Sequence, residues 1–232
     1  MEAARTSPSA RSGSPGRSPA RHPGPSACNS PATGERSATR RYGSPSRCCW
    51  SGSPDHPLPM AERWFFGLWP DPATGETLAA QARPLIPPSS RAAHPLDLHL
   101  TLRFLGELVP EARRAAEAVG DAVQAGPFRL RIDRAGWFPR ARVFWCAPTQ
   151  ASDALLGLVA QLEQGLTAHG FTPEPRPYRP HLTLARKFRG STELVWGDPV
   201  EWETREFILA RGLDGQVPRY AAARRWPLST KD

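Results

Sequence analysis

The tetrapeptide HLTL occurs twice in this sequence of 232 residues, at 99–102 and again at 181–184. Side chains of a β-strand point alternately to the two faces of a sheet. The His and the Thr of each copy therefore share one face, and the two Leu share the other. If two lobes of the fold bring the copies together, two imidazoles and two hydroxyls converge in one cleft.

Two histidines and two threonines suit the cleavage of a phosphodiester. Hydrolysis needs a base that deprotonates water and an acid that protonates the leaving oxygen, and imidazole can do either because it titrates near neutrality. Threonine hydroxyls can donate hydrogen bonds to the non-bridging phosphate oxygens, on which negative charge grows in the transition state. This chemistry requires neither a metal ion nor a cofactor. The four side chains are His99, Thr101, His181 and Thr183.

Two further residues near the second copy are candidates for contacts with a substrate. Arg186 lies on the strand face opposite Thr183 if the strand is regular, so it reaches a bound phosphate only if the strand bends or ends near Ala185. Tyr178 precedes the second copy and could either stack on a nucleic-acid base or pack in the core.

The elements that must position these residues follow a mixed pattern, in which helices lie between strands but several strands are adjacent in sequence. Strands are predicted at 64–69, 98–105, 128–132, 142–146, 182–184, 200–202, 206–210 and 219–226. Helices are predicted at 72–83 and 110–124, and a third begins after Ser152 and stops at Gly170. A loop is predicted at 84–95, and a turn is predicted at 137–139. The pattern indicates an α+β fold with antiparallel pairing. Because each HLTL copy follows a Pro-rich loop, two similar lobes are expected.

The first 59 residues differ sharply in composition from the rest. They contain ten Pro, twelve Ser and a single Leu, with eight Arg against three acidic residues. Such a segment cannot bury enough apolar surface to offset the entropy of ordering it, so we predict a disordered leader at 1–59 and a folded domain at 60–232. A translation start at Met60 is preferred over a targeting peptide. The folded part carries only +3 of the net charge of +8, so charge does not argue for nucleic acid.

Cysteine usage and hydropathy restrict the class of protein. Cys146 is the single cysteine of the predicted domain, which excludes an internal disulfide there. The sequence lacks an apolar run long enough to span a membrane and lacks the apolar core of a secretory signal. We therefore expect a cytoplasmic protein.

The motifs resemble those of a known family. HLTLRFLG and RPHLTLAR look like the two HxTx motifs of the 2H phosphoesterase superfamily, and within it the chain is similar to the bacterial RNA 2′,3′-cyclic phosphodiesterases, also called 2′-5′ RNA ligases. The likeness extends over nearly all of 60–232 and includes RWFFGLWPD, GWFPRARVFW and EFILARG. The resemblance implies a bilobal fold in which two antiparallel sheets face a central cleft, with helices outside.

The resemblance also implies roles for the residues. His99 would donate a proton to the departing ribose oxygen, His181 would accept a proton from water, and the product would be a 2′-phosphate. Arg186 falls where the family has an arginine that contacts the substrate. The expected partner is an RNA end with a 2′,3′-cyclic phosphate, or a related small cyclic nucleotide, bound by a monomer.

Several alternatives remain open from the sequence. The same residues would serve 2′,5′-phosphodiester hydrolysis or ligation of RNA ends, and a non-catalytic RNA-end binder would need only the Thr and Arg contacts. A metal-dependent hydrolase lacks convincing carboxylates near either histidine. Among neighbouring residues, Arg103 and Lys187 are predicted to be solvated, and Phe104, Trp137 and Trp145 to pack in the core.

Overall fold

The computed structural model describes residues 62–190 and 195–229, so the predicted leader at 1–59 lies outside the described residues. The strands are β1 (Arg63–Leu68), β2 (Arg91–Ala92), β3 (Leu100–Glu107), β4 (Phe128–Ile132), β5 (Arg134–Phe138), β6 (Val143–Ala147), β7 (Leu182–Arg186), β8 (Val200–Thr204), β9 (Glu206–Gly212) and β10 (Tyr220–Pro227). The helices are α1 (Pro72–Ala82), α2 (Pro110–Ala122) and α3 (Asp153–Ala168), and short 3-10 turns lie at Arg83–Leu85 and Pro95–Asp97. None of the described helices is long and apolar enough to cross a membrane.

The helices begin where the sequence predicts. The carboxylate of Asp71 accepts a hydrogen bond of 3.0 Å from the backbone N–H of Thr74, and Pro72 occupies the first helical position of α1. The hydroxyl of Ser152 accepts from the backbone N–H of Leu155 at the start of α3. Both helices then return the chain to a strand that pairs antiparallel with the strand preceding the helix.

A β-α-β unit therefore occurs twice. In the first unit, α1 connects β1 to β3, which pair antiparallel. In the second, α3 connects β6 to β7, which also pair antiparallel. Each unit ends in a strand that carries one HLTL copy. The two lobes predicted from the repeat correspond to these two units.

Within the described residues, the strands of both lobes form one eight-stranded sheet in the order β10-β9-β1-β3-β7-β6-β5, with β2 paired to β7. The two lobes join through β3 and β7, which pair antiparallel at Leu100 and Leu182. β4 and β8 form a separate two-stranded sheet. The predicted α+β fold with antiparallel pairing is confirmed.

The core lies on the face of the sheet opposite the polar residues of HLTL. Leu100 and Leu182 are fully buried there, together with apolar side chains of all three helices. A second, small cluster of Phe65, Ile208 and Ala210 is buried on its own, with Trp69 and Tyr220 packed against it.

Two local predictions are wrong. Trp137 and Phe138 do not form a turn but end strand β5, because the chain pairs with β6 up to Phe138 and turns only afterwards. Phe104 is not a core residue, since half of its surface is exposed. The loop predicted at 84–95 contains a 3-10 turn and the short strand β2, which pairs with the end of β7.

Candidate active site

The pairing of Leu100 with Leu182 joins equivalent positions of the two HLTL copies. In an antiparallel pair, the positions on either side of this contact lie opposite each other, so His99 lies beside Thr183 and His181 lies beside Thr101. All four side chains are half-buried on the face away from the leucines. The structure thus brings together the four residues that the sequence predicts, with an approximate two-fold symmetry.

Both HLTL strands contain a β-bulge at the same position of the motif. On β3 the extra residue is Leu102, since Phe66 pairs with Arg103 and Gly67 pairs with Thr101. On β7 the extra residue is Leu184, since Phe144 and Trp145 pair with Ala185 and Thr183. A bulge inserts one residue into the alternation of faces and bends the strand.

The bulge on β7 decides where Arg186 points. Leu184 and Ala185 are both buried, so the alternation resumes with Arg186 exposed on the side of Thr183. Arg186 lines the same cavity as His99 and Thr183. The condition set by the sequence, that the strand must bend near Ala185, is therefore met.

Each histidine is oriented by a backbone carbonyl two residues earlier in the chain. The Nδ1 atom of His99 lies 2.7 Å from the carbonyl oxygen of Asp97, and the Nδ1 atom of His181 lies 2.8 Å from the carbonyl oxygen of Arg179. A carbonyl oxygen only accepts hydrogen bonds, so Nδ1 donates in both cases. Among the described residues, no hydrogen bond holds the Nε2 atom of either ring, and such an atom can accept a proton when the ring is neutral or donate one when it is charged.

The surroundings of His99 are aromatic. Its ring centroid lies 4.8 Å from that of Phe65, 4.9 Å from that of Trp69 and 4.7 Å from that of Tyr220. Gly67 leaves room for this arrangement, because a Cβ atom there would lie 3.0 Å from the indole of Trp69. We call Phe65, Trp69 and Tyr220 the aromatic cage of His99.

This burial changes the acidity of His99. The pKa of His99 is lowered to about 4, mainly by loss of hydration and to a smaller extent by the nearby charges of Arg186 and His181. The hydrogen bond to the carbonyl of Asp97 opposes these effects. In the free protein, the imidazole of His99 is therefore neutral at pH 7.

His181 lies in more open surroundings. Its ring meets that of Phe138 edge-on, with centroids 5.3 Å apart. It lines a second cavity of about 380 Å³, whose walls also include Trp145 and Tyr178. The two histidines thus have the same backbone contact but different neighbours.

Tyr178 connects the two motifs. Its hydroxyl donates a hydrogen bond of 3.1 Å to the backbone carbonyl of Thr101, and burial raises the pKa of this phenol well above its usual value. The ring packs against the main core and also borders the cavity beside His181. Contact of Tyr178 with a nucleic-acid base stays a prediction.

Arg103 is not solvated, contrary to the sequence-based prediction, because only 12% of its side chain is exposed. Its guanidinium donates to the carboxylate of Glu163 at 2.6 Å and to the carbonyl of Thr172 at 2.5 Å. Glu163 in turn accepts from the backbone N–H of Glu174 at 2.8 Å. These contacts attach the loop before the second HLTL copy to the strand of the first.

The cavity beside His99 and Thr183 has a volume of about 370 Å³ and a basic rim. Besides Arg186, it is lined by Arg91 and Arg219, two residues that sequence reasoning missed. Nothing in the local sequence marks either residue, since both reach the cavity through strand pairing or through the fold of the loop before β10. Such a rim suits an anionic ligand. Among residues 62–190 and 195–229, no cluster of His, Cys, Asp and Glu could hold a metal ion.

Comparison with known proteins agrees with this geometry. A family model of the 2′-5′ RNA ligase superfamily matches residues 70–209. The chain is 30% identical over 174 residues to an RNA 2′,3′-cyclic phosphodiesterase of Escherichia coli, an alignment that covers 72% of this chain and 97% of that protein. A protein of the same name from Bacillus subtilis is 33% identical over 146 residues, or 59% and 79% of the two chains.

Solved structures show the same fold. A crystal structure of E. coli LigT complexed with 3′-AMP is 28% identical and superposes with a TM-score of 0.68 over 74% of this chain and all of that one. A crystal structure of TT0787 from Thermus thermophilus is 26% identical, with a TM-score of 0.60 over 73% of this chain and all of that one. The chain belongs to the 2′-5′ RNA ligase superfamily. Its predicted membership of the 2H phosphoesterases, and with it the prediction of an enzyme, is confirmed.

Proposed function

We propose that the protein hydrolyses a terminal 2′,3′-cyclic phosphate of RNA to a 2′-phosphate, without a metal ion. The observation that carries this proposal is the pairing of Leu100 with Leu182. It sets the imidazole of each HLTL copy beside the threonine hydroxyl of the other copy. The names of the relatives support the substrate, and the basic rim of the cavity supports an anionic ligand.

In the proposed reaction, Nε2 of His181 accepts a proton from a water molecule whose oxygen attacks the phosphorus. The bond between phosphorus and the 3′ oxygen breaks, and Nε2 of His99 donates a proton to that oxygen. The product carries a 2′-phosphate and a free 3′ hydroxyl. Thr101 and Thr183 donate to the non-bridging oxygens, and the guanidinium of Arg186 stabilises their charge.

If His99 is the proton donor, its low pKa in the free protein means that the ring takes up a proton when the substrate binds. In the free protein, the loss of hydration and, to a smaller extent, the charges of Arg186 and His181 disfavour a protonated ring. A phosphodiester anion bound beside Arg186 offsets the charge of that guanidinium and favours the imidazolium of His99. Inorganic phosphate should therefore raise the pKa of His99 in an NMR titration. An unchanged pKa at saturating phosphate would contradict substrate-linked protonation.

The cavity beside His181 favours a second candidate reaction. This cavity lies beside His181, the proposed base, and three aromatic residues line it: Phe138, Trp145 and Tyr178. Aromatic rings of this kind stack with nucleic-acid bases. If the 5′ hydroxyl of a second RNA binds there in place of water, the same proton transfers yield a 2′,5′ linkage. In the reverse reaction, the free 3′ hydroxyl attacks the phosphorus of the 2′,5′ linkage, which restores the cyclic phosphate and releases the 5′ hydroxyl.

The direct test uses the full chain, an RNA oligonucleotide ending in a 2′,3′-cyclic phosphate, and a chelator. We expect complete conversion to the 2′-phosphate in EDTA, identified by phosphorus NMR against both isomers. A 3′-phosphate product would contradict the protonation of the 3′ oxygen. Inhibition by EDTA that one divalent metal reverses would contradict the metal-free mechanism. Adding a second RNA with a 5′ hydroxyl tests for ligation in the same assay.

A further inference from the structure

Four exposed basic residues lie in two segments that meet at the end of β7, next to Arg186 of the cavity. Two lie in the connection between β5 and β6, and two follow β7. We call them the basic ridge: Arg140, Arg142, Lys187 and Arg189. The backbone N–H of Phe188 donates a hydrogen bond of 2.9 Å to the carbonyl of Arg142, which joins the two segments.

The ridge is anchored to the core. Phe188 is fully buried, and its ring stacks on that of Phe144 with centroids 4.8 Å apart. The residues on either side of Phe188 are consequently held at the surface. β2 continues the same edge toward the cavity, because Arg91 pairs with Arg186 and both line the cavity.

The charges of the ridge are not balanced by carboxylates within the described part of the chain, where the ion pairs all involve other residues. At the opposite edge of the sheet, the basic residues are paired with carboxylates. There Arg211, Arg224 and Arg225 form ion pairs with Glu62, Asp121 and Glu206. A row of unbalanced cations at one edge attracts a polyanion.

The backbone gives a second, independent indication. Among the described non-glycine residues, Arg142 and Lys187 are the two with positive φ, at 50° and 56°. This left-handed conformation disfavours side chains with a Cβ atom and is common for glycine and asparagine. Basic residues at both positions, in a strained backbone, indicate a role in binding rather than in folding.

We propose that the basic ridge binds the backbone phosphates of an RNA strand whose cyclic-phosphate end occupies the cavity of His99. This inference rests on the proposed function and specifies its substrate as an oligonucleotide. The cavity itself provides Arg91 and Arg186 for the reacting phosphate. The four ridge residues lie outside the cavity lining, so they contact nucleotides on the 5′ side of the terminal one.

The test compares two substrates, an RNA oligonucleotide with a 2′,3′-cyclic-phosphate end and a 2′,3′-cyclic mononucleotide. The variant is the triple substitution R140Q/K187Q/R189Q. The control variant, R114Q/R205Q/R225Q, changes the net charge by the same amount at residues that form ion pairs elsewhere. For each protein, kcat/KM is measured against salt concentration.

When the logarithm of the affinity for a single strand is plotted against the logarithm of the salt concentration, each phosphate contact contributes about 0.7 to the slope. The slope of log kcat/KM should change in the same way. Loss of three contacts should reduce the slope for the oligonucleotide by about 2, which is roughly a 20-fold difference over a fourfold change of salt. We expect the mononucleotide to be hydrolysed equally by wild type and by both variants. The control variant should keep the wild-type slope for the oligonucleotide.

Three outcomes would overturn the inference: an unchanged slope in the ridge variant, an equal loss on both substrates, or an equal slope change in the control variant. A measurement of RNA binding distinguishes a failure of this inference from a failure of the proposed function. The affinity for a labelled oligonucleotide ending in a 2′-phosphate is measured by fluorescence anisotropy at several salt concentrations. Its dependence on salt should be weaker in the ridge variant than in wild type, even if neither substrate is hydrolysed. A wild-type protein that hydrolyses neither substrate contradicts the proposed function alone.

Discussion

The two copies of HLTL share their local geometry and differ in their surroundings. In both, the final leucine forms a bulge and Nδ1 of the histidine contacts a carbonyl two residues earlier. The ring of His99 is enclosed by three aromatic rings, whereas that of His181 meets one ring edge-on. A repeated motif thus provides two similarly oriented imidazoles, and the packing around each ring makes them chemically different.

The different surroundings of the two rings match the different roles that the proposed mechanism gives them. Acid and base catalysis needs one imidazole that donates a proton and another that accepts one. Two identical environments would give both rings the same preference for a proton. In the proposed mechanism, the aromatic cage makes the protonation of His99 depend on a bound anion, while His181 stands in a more open site. We infer that the fold separates the roles of the histidines through hydration rather than through the motif.

The largest effect is expected from removing either ring. His99→Ala and His181→Ala should each reduce kcat by about 10²–10⁴-fold, as for the loss of a general acid or base. The double variant should be little worse than either single variant, because the residues act as a unit. His169→Ala, at the exposed end of α3, is the control and should leave kcat unchanged. Near-native turnover of either motif variant would contradict the two-histidine mechanism.

The stability of the protein against pH should distinguish the two copies. The pKa of His99 is about 4 in the folded protein and about 6.5 when unfolded. Between these values the unfolded chain binds a proton that the folded chain does not, so the free energy of unfolding falls as pH falls. The loss is at most about 3 kcal/mol for this half-buried ring.

The decrease in the free energy of unfolding that is due to His99 should be absent in His99→Gln and present in His181→Gln. Urea denaturation of the three proteins between pH 7 and pH 4 measures it. The same pH slope in wild type and in His99→Gln would show that the aromatic cage does not hold the ring neutral.

The threonines should be more alike than the histidines. Thr101→Val and Thr183→Val each remove one donor to a phosphate oxygen, and we expect each to lower kcat by roughly 10–10²-fold. Since each hydroxyl lies beside the histidine of the other copy, the two losses should agree within about tenfold. Thr167→Val, on the exposed side of α3, is the control. A loss confined to one threonine would break the approximate symmetry of the site.

The smallest effect is expected at the contact between the copies. Tyr178→Phe removes the hydrogen bond to the carbonyl of Thr101 and should lower the free energy of unfolding by about 1 kcal/mol. The titration of His99 should not change, because Tyr178 is not part of the aromatic cage. Tyr220→Phe keeps the ring that contacts His99 and should likewise leave that titration unchanged. A shifted pKa of His99 in Tyr178→Phe, measured by NMR, would indicate a coupling between the copies that the contacts do not explain.

Much of the fold follows from local patterns. Helix starts at Asp71 and Ser152 follow from capping residues, and the strand at Phe128–Ile132 follows from alternation. Arg103 could not be assigned from its surroundings in sequence, because its burial results from Glu163 and Thr172, which lie 60 and 69 positions away. The turn predicted at Trp137 failed for a similar reason, since pairing with β6 extends the strand.

The sequence by itself determined which groups are proposed to react in this protein. Alternation within HLTL directs an imidazole and a hydroxyl to one face, and this is a local property of any strand. Tertiary structure alone decided how the copies meet, since Leu100 and Leu182 are 82 positions apart. It also decided that Arg186 reaches the cavity, through a bulge defined by the register with β6. The pKa of His99 depends on aromatic rings from β1, from the residue after it and from β10, because hydration is set by contacts between distant parts of the chain.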